Sequence, residues 1–200
     1  MKQSPSPQPS PLRQAQGRLS REREIRAVVD AVCLSVEGVR VAKEPQVEAF
    51  LGPHGFVGDR HEAEFRKSSS SPAGVAPNHR QWSAVSTEEV AELCANMGVD
   101  PPFVAGALGE NLRLSGIRLA EVPEGSVLEF PSGARLAVHG RNDPCVNAAK
   151  ELSATYGGVV GQYFVKQAFG KRGILGTVLA TGVIRPGDEV TVSIAEAAEV

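Results

Sequence analysis

This sequence is poor in the features that would assign it to nucleic-acid-binding or membrane-spanning proteins. Aromatic residues make up only 5% of its 200 residues, and 21 basic against 23 acidic residues give a net charge of −2. A protein that binds nucleic acid through base stacking and phosphate contacts needs more aromatic and basic side chains than this. No stretch approaches ~18 consecutive apolar residues, the length that a membrane-spanning helix requires. The sequence therefore predicts neither a nucleic-acid partner nor a membrane partner.

Cysteine is also scarce, and its spacing argues against a disulfide framework. Cys33, Cys94 and Cys145 lie far apart, form no CxxC pair, and cannot all be paired within one chain because their number is odd. The N-terminal segment lacks the apolar core of a secretory signal. These absences are typical of a protein from a reducing compartment, so we expect a cytoplasmic location.

The N-terminal segment differs in composition from the rest of the chain. Residues 1–23 contain four alternating prolines and five basic residues against a single acidic one. Such a segment buries too little apolar surface to fold, which predicts a disordered leader over residues 1–23 or a start upstream of the native one. A transit peptide shares the Arg and Ser content, but alternating prolines oppose an amphipathic helix. Residues 24–195 have ordinary globular composition and predict one domain with its own hydrophobic core.

Short strands separated by turns dominate the predicted domain. The 21 glycines and 14 prolines favour turns between short strands over a helical bundle. Apolar and β-branched runs predict strands over Ile25–Val36, Gln46–Leu51, Leu112–Leu114, Ile117–Glu121, Val127–Phe130, Arg135–Val138, Ile174–Ile184 and Glu189–Ile194. Residues 67–78 are predicted to form a loop, and Cys145–Tyr156 and Val159–Phe169 to form short helices. This pattern predicts a mainly β fold, a closed or partly closed β-barrel with a few short α-helices, because closure removes exposed strand edges.

The clearest helix signal begins at Ser86. Ser86 and Glu89 have the spacing of a capping box, in which each side chain satisfies an amide of the first turn. Apolar residues then follow at helical spacing from Val90 to Met97, and Gly98 predicts the end of the helix. Cys94 falls on that apolar stripe, so we expect it to be a small buried hydrophobic residue.

Cys145 is the strongest candidate for chemistry. Asn142 or Asp143 suits a helix N-cap and Pro144 the first helical position, which would place the thiol in a first turn where free amides favour an anion. Arg141 and His139 could add positive charge. A thiolate is both a nucleophile and a soft metal ligand. The alternative is a first-turn cysteine that only packs.

A second candidate segment runs from Gly55 to His61 with the sequence GFVGDRH. Its glycines permit a close backbone approach, and Asp59, Arg60 and His61 place three polar functions together. A turn in which Asp59 bonds local amides is the alternative interpretation. A zinc site made of His61, His139 and Cys145 would match no closed zinc motif. A Cys–His nucleophilic pair also stays open, because such partners are adjacent in space and not in sequence.

Taken together, these segments resemble the MOSC domain family, named for the C-terminal part of molybdenum cofactor sulfurase, and identify the chain as a stand-alone, single-domain member. The resemblance covers roughly residues 25–194. It is carried by seven blocks in family order, at Gly55–His61, Arg80–Ser86, Gly109–Leu112, Pro123–Gly125, Pro144–Cys145, Arg172–Ile174 and Gly182–Asp188.

The resemblance implies a β-barrel-like fold and a role in sulfur and molybdenum cofactor (molybdopterin) chemistry. Cys145 would act as the catalytic residue, either carrying sulfur as a persulfide for transfer to a metal centre or ligating molybdenum during reduction of N-hydroxylated compounds. The matching blocks further imply a set of cofactor-binding residues, namely Asp59, Arg60, His61, Arg80, Glu110, Asn111, Arg141 and Arg172.

Partners are also implied by the resemblance. The pyridoxal phosphate domain of the sulfurase has no counterpart in this sequence, so a sulfur donor or an electron-donor protein would act in trans on behalf of a small-molecule substrate. The alternatives are a non-catalytic molybdenum cofactor carrier or storage protein, and a scaffold in which Cys145 is structural.

Overall fold

Seven strands close into a β-barrel in the computed structural model, which describes residues 23–39 and 41–194. The strands are, in chain order, β1 Arg23–Ser35, β2 Lys43–Gln46, β3 Ala49–Gly52, β4 Gly55–Phe56, β5 Phe65–Lys67, β6 Val75–Pro77, β7 Trp82–Ser86, β8 Leu112–Ser115, β9 Val127–Glu129, β10 Arg135–Arg141, β11 Ile174–Ala180, β12 Gly182–Ile184 and β13 Glu189–Ile194. The helices are α1 Thr87–Asn96, α2 Val146–Tyr156 and α3 Gly158–Gln167, with a 3-10 turn at Leu119–Glu121.

The barrel runs in the order β1, β8, β7, β11, β10, β9 and β13, and it closes where β13 pairs with β1. Strand β1 pairs with β13 through its first half, with β8 in the middle and with β2 at its end, and a bulge between Val29 and Ala31 bends it. Strands β7 and β8 are parallel, which requires the long crossover that α1 provides. The predicted fold class, mainly β with a closed barrel and a few short helices, is confirmed.

Alternating side chains fill the barrel. Leu136 and Val138 of β10 point inward, as do Val190 and Val192 of β13, where they meet Trp82 in a shared core. Each fully buried aliphatic side chain of this kind contributes about 1.5–3 kcal/mol through removal of apolar surface from water.

The three helices pack as a layer outside the barrel and form a second core. Leu93 of α1, Leu152 of α2 and Phe164 of α3 meet there. Strand β7 is buried along its whole length because Trp82 faces the barrel core while Val85 faces the helical core. This double burial explains why β7 has no polar face.

Helix α1 begins as the sequence predicts, but half of the predicted capping box is wrong. Ser86 is the N-cap, and its hydroxyl accepts the amide of Glu89 at 3.2 Å. The Glu89 carboxylate does not accept a hydrogen bond from the backbone amide of Ser86, as a full capping box requires. It accepts the amides of Leu119 and Ala120, each at 3.1 Å. Cys94 lies in the helical core, as predicted.

Four local predictions need correction. The predicted strand over Gln46–Leu51 is interrupted, because Gln46 ends β2 and β3 begins at Ala49 in a different sheet. The predicted strand over Ile117–Glu121 is wrong. The Glu89 carboxylate accepts hydrogen bonds from the amides of Leu119 and Ala120, and the chain forms the 3-10 turn there. The predicted strand over Ile174–Ile184 divides at Thr181 into β11 and β12, which belong to different sheets. The predicted loop over residues 67–78 contains part of the antiparallel β5–β6 hairpin.

The predicted leader over residues 1–23 lies outside the described residues except for Arg23, which pairs with Ile194 at the start of β1. Within the described ranges, no helix is both long and apolar enough to cross a membrane.

Candidate functional site

The Cys145 thiol lies at the start of α2. Its backbone is extended and Cys145 itself is the N-cap, so the prediction of Asn142 or Asp143 as the cap is wrong. Asn142 lies four positions before α2 begins, and its backbone N–H donates to the carbonyl of Gly173 at 2.9 Å, which fixes the segment entering the helix. Cys145 is exposed, whereas Cys33 and Cys94 are buried. The thiol therefore lies where the free amides of a helix start reach it.

Arg172 is the main cation beside this thiol. It is 2% exposed, and it lies just before β11, the strand that pairs with β10. Its guanidinium donates to the carbonyl oxygens of Asp143 at 2.7 Å and Leu108 at 3.0 Å, and its Nη1 lies 3.9 Å from the Cys145 Sγ. The next residue, Gly173, packs closely against β7, because any Cβ there would lie 1.8 Å from the carbonyl oxygen of Ala84.

These surroundings favour the thiolate form of Cys145. Partial burial raises its pKa, but the amide of Ala148, the Arg172 guanidinium, the amide of Asn147 and the Arg80 guanidinium together lower the pKa below its ordinary value. Burial raises the pKa of the Cys94 thiol, and it raises that of Cys33 to about 12. Cys145 is thus the thiol most readily ionised at neutral pH.

Cys145 and Arg172 line a cavity of about 180 Å³ together with residues from four other segments, two of which are contributed by Val41 and Gly109. Arg60 and His61 come from the turn after β4, and Arg80 lies just before β7. The buried Asn78 joins these segments: its side-chain amide donates to the carbonyl of His61 at 2.9 Å, and its Oδ1 accepts the amide of Arg80 at 3.1 Å.

Two of the three arginines lack full hydrogen bonding. Within the described part of the chain, the buried Nε atoms of Arg80 and Arg172 have no hydrogen-bond partner. Burial lowers the pKa of Arg80, and the neighbouring Arg172 lowers it further while Cys145 opposes the shift. Arg60 donates to the carbonyl of Val39 at 3.0 Å and also to that of Val41, contacts that leave its charge unneutralised.

A buried ion pair between Lys43 and Asp59 orients His61. The Lys43 ammonium lies 2.8 Å from Oδ2 of Asp59, both side chains are fully buried, and Nδ1 of His61 lies 3.1 Å from Oδ1 of Asp59. Burial would raise the pKa of Asp59, but hydrogen bonds from His61 and the Lys43 ammonium hold it well below its usual range. Burial, against the opposing charge of Asp59, lowers the pKa of Lys43 to about 8.

His61 is therefore neutral at pH 7. Burial lowers its pKa, the hydrogen bond to Asp59 opposes this, and the charges of Lys43 and Arg80 add to it. The ionised Asp59 accepts a hydrogen bond from the Nδ1–H group of His61, so we assign the lone pair of the ring to Nε2, where it can accept a proton.

The structure brings together five residues from the implied set and separates four candidates from them. Cys145, Arg60, His61, Arg80 and Arg172 line the cavity, and Asp59 lies behind His61.

The four separated candidates bond elsewhere in the fold. Glu110 is buried, where it accepts hydrogen bonds from the amides of Gly106 and Leu108 and pairs with Arg113. Asn111 donates to the carbonyl of Cys33, Arg141 donates to the carbonyl of Ala120, and His139 bonds Thr177.

Sequence reasoning missed three contributors, Lys43, Asn78 and Asn147. A lysine beside Glu44 and an asparagine at the end of a loop carry no local sign of burial, so only the fold reveals Lys43 and Asn78. Asn147 could have been found, since it follows Cys145 by two positions and its amide is free at a helix start.

Comparison with known proteins places the chain in a family. The MOSC domain family matches residues 61–191. A Bacillus subtilis (strain 168) protein described as "Putative metal-sulfur cluster biosynthesis proteins YuaD" is 37% identical over 146 residues, 69% of this chain and 76% of that protein. The crystal structure of YuaD from Bacillus subtilis superposes with a TM-score of 0.80 at 30% identity, covering 87% of this chain and 99% of that one.

Two further solved structures share the fold alone. YiiM from Geobacillus stearothermophilus and YiiM from Escherichia coli each superpose with a TM-score of 0.59, at 20% and 19% identity. They cover 85% and 88% of this chain, which spans 75% and 73% of theirs.

Proposed function

Because this chain belongs to the MOSC domain family, we propose that it transfers sulfur through a persulfide on Cys145 to a metal centre, with the molybdenum cofactor as the acceptor. The observation that carries the proposal is an exposed thiol with a lowered pKa beside Arg172. The relative described as a metal-sulfur cluster biosynthesis protein supports the same chemistry.

The cavity provides what a persulfide carrier needs. A thiolate attacks a sulfane sulfur, and the persulfide anion that results lies near the same amides and guanidinium that favour the thiolate. The Nε2 lone pair assigned to His61 would accept a proton from a neutral donor or from a protonated persulfide. Loading of Cys145 needs no redox cofactor, because the sulfane sulfur keeps its oxidation level. Its delivery to the metal as a sulfido ligand would take two electrons, which the reduced acceptor metal or an external reductant would supply.

The residues present fit the anionic and metal-bearing end of the cofactor. Cys145 is a soft donor suited to molybdenum, and the guanidinium groups of Arg80 and Arg172 would hold a phosphate. The 180 Å³ cavity is smaller than the ~300–1,000 Å³ that encloses a typical ligand, so a whole pterin would extend beyond it. An adjoining cleft of about 470 Å³ shares Arg60 with the cavity. Partial enclosure favours an acceptor that binds and leaves over one held permanently.

A second candidate function is reduction of N-hydroxylated compounds, with Cys145 as a ligand of molybdenum. The exposed Cys145 thiol, a soft ligand, favours it, and the reaction needs a proton donor beside the metal. However, the lowered pKa of His61 leaves it neutral at pH 7 and so a poor acid. We therefore rank sulfur transfer first and expect its sulfur donor to act in trans.

The test loads purified protein with inorganic polysulfide and maps the added sulfur by mass spectrometry. We expect one additional sulfur on Cys145, none in Cys145→Ser, and an unchanged load in the control Cys33→Ala, which removes a buried thiol. The loaded protein should then activate a sulfur-requiring molybdenum enzyme that contains the desulfo cofactor.

Loading of Cys145→Ser would contradict the proposal. A protein that retains pterin but neither loads nor passes on sulfur would instead be a carrier. Oxygen-transfer turnover with N-hydroxylated substrates and a reductant would support the second candidate.

A further inference from the structure

The cavity around Cys145 carries more positive charge than its own residues neutralise. Three guanidinium groups, from Arg60, Arg80 and Arg172, face one thiolate, so two positive charges remain. His61 is neutral, and no carboxylate lines the cavity within the described residues.

The nearest carboxylates are already engaged or lie outside the lining. Asp59 pairs with Lys43, and Glu110 pairs with Arg113 while it accepts two amides. The charge of Asp143 acts on Arg172, but its carbonyl makes the hydrogen bond. The excess positive charge is therefore a property of the cavity itself.

Arg80 carries part of the positive charge that the residues of the cavity leave unneutralised. Its buried Nε has no hydrogen-bond partner, and Arg80 forms no ion pair with a carboxylate of any described residue. A half-buried cation that interacts with the Cys145 sulfur but pairs with no carboxylate gains from binding an anion. The 98% buried Arg172 also lines the cavity with an unpartnered Nε. Together they describe a site built for a small anion beside a nucleophilic sulfur.

Resting on the persulfide function proposed above, we propose that the sulfur donor used in this cavity is a small sulfane donor bearing a sulfonate group, of the thiosulfate class. The cavity of about 180 Å³ admits such an ion, whereas larger donors would have to reach Cys145 from outside.

The reaction balances without an added oxidant or reductant. The Cys145 thiolate attacks the outer sulfur of thiosulfate and forms a new S–S bond. The original S–S bond breaks, and its electron pair leaves with sulfite. The Cys145 sulfur is oxidised to the disulfide level, the sulfonate sulfur is reduced to sulfite, and the total charge of −3 is conserved.

That charge explains the need for three arginines. A singly charged thiolate and a doubly charged donor repel each other in water, and three guanidinium groups match the charge of the encounter. Arg also forms planar, bidentate contacts with oxyanions. Arg80, whose guanidinium pairs with no carboxylate of the described residues, is the residue expected to bind the sulfonate.

The test incubates the full-length protein with thiosulfate and measures sulfite release, sulfur added to Cys145, and thiocyanate formed with cyanide. We expect one sulfite for each sulfur added. Arg80→Ala should lower kcat/KM for thiosulfate by at least about tenfold, the usual effect of losing one charge-assisted contact. The control Arg135→Ala removes an exposed arginine paired with Glu129 and should change it less than about twofold.

A parallel arm separates this inference from the function on which it rests. If polysulfide loads Cys145 and thiosulfate does not, the donor class is wrong and the persulfide function stands. If neither donor loads Cys145, both are wrong. If Arg80→Ala and Arg135→Ala behave alike with thiosulfate, the anion site is wrong. Wild-type protein supplies a check without any variant: iodoacetate should alkylate Cys145 faster relative to iodoacetamide than it alkylates free cysteine, and an equal ratio would also overturn the site.

Discussion

The barrel interior and the Cys145 cavity satisfy their polar groups in opposite ways. In the barrel, the buried Trp82 donates its indole N–H to the carbonyl of Thr177 at 3.0 Å and is otherwise enclosed by apolar side chains. In the cavity, Arg80 and Arg172 keep nitrogen atoms without partners. The polar group of Trp82 is satisfied within the barrel core, whereas the cavity holds charge that an external anion would neutralise. Stability and chemistry therefore depend on different regions of the described fold.

The largest effect on stability is expected from breaking the buried ion pair between Lys43 and Asp59, which lies behind His61. Lys43→Met leaves Asp59 ionised and unpaired, and breaking a buried pair in this way costs about 3–5 kcal/mol of unfolding free energy. Urea denaturation measures it. The control Lys171→Met removes a partly exposed lysine 3.8 Å from Glu92 and should cost less than about 1 kcal/mol. Equal losses in the two variants would mean that the Lys43–Asp59 pair is not structural.

A cavity made in the barrel should destabilise the protein without changing the reactivity of Cys145. Leu114→Ala removes a fully buried side chain and should cost about 2–5 kcal/mol. The control Leu179→Ala removes an exposed leucine and should change stability by about 0.5 kcal/mol or less. The rate of Cys145 alkylation in the folded state should stay the same in both. A changed rate in Leu114→Ala would show that the two regions are coupled.

The smallest effect on stability is expected from Arg80→Ala, because it removes a cation that makes no ion pair in the described structure. We expect the free energy of unfolding to change by no more than about 0.5 kcal/mol in either direction. The pH dependence of iodoacetamide alkylation should move to higher pH, since Arg80 helps to lower the pKa of Cys145.

The lowered pKa of Cys145 also makes the stability of the folded protein depend on pH. The folded-state pKa of Cys145 lies below its unfolded value of 9.0, so the thiolate adds stability that is fully present above pH 9 and is lost as the pH falls through the folded pKa. Arg80→Ala should reduce that contribution. An alkylation profile that moves to lower pH, or does not move, would contradict the role given to Arg80.

Local sequence patterns predicted much of the fold and only part of the candidate site. The apolar stripe of α1, the burial of Cys94 and the mainly β barrel could be read directly, because periodicity and turn residues act between neighbours in the chain. The strand predicted over Ile117–Glu121 failed because Glu89, about thirty positions earlier, binds the amides of that segment. A distant side chain of this kind leaves no trace in local composition.

The sequence by itself determined the family, the barrel and the choice of Cys145 as the thiol to test, since these rest on ordered motifs and on residue type. Only the tertiary structure decided which charged residues surround that thiol. It placed Arg172 beside Cys145 through the β10–β11 pair, joined His61 to Arg80 through Asn78, and turned Arg141 away toward Ala120. The physical reason is that strand pairing and long-range hydrogen bonds fix the direction of a side chain, whereas the spacing of residues along the chain does not.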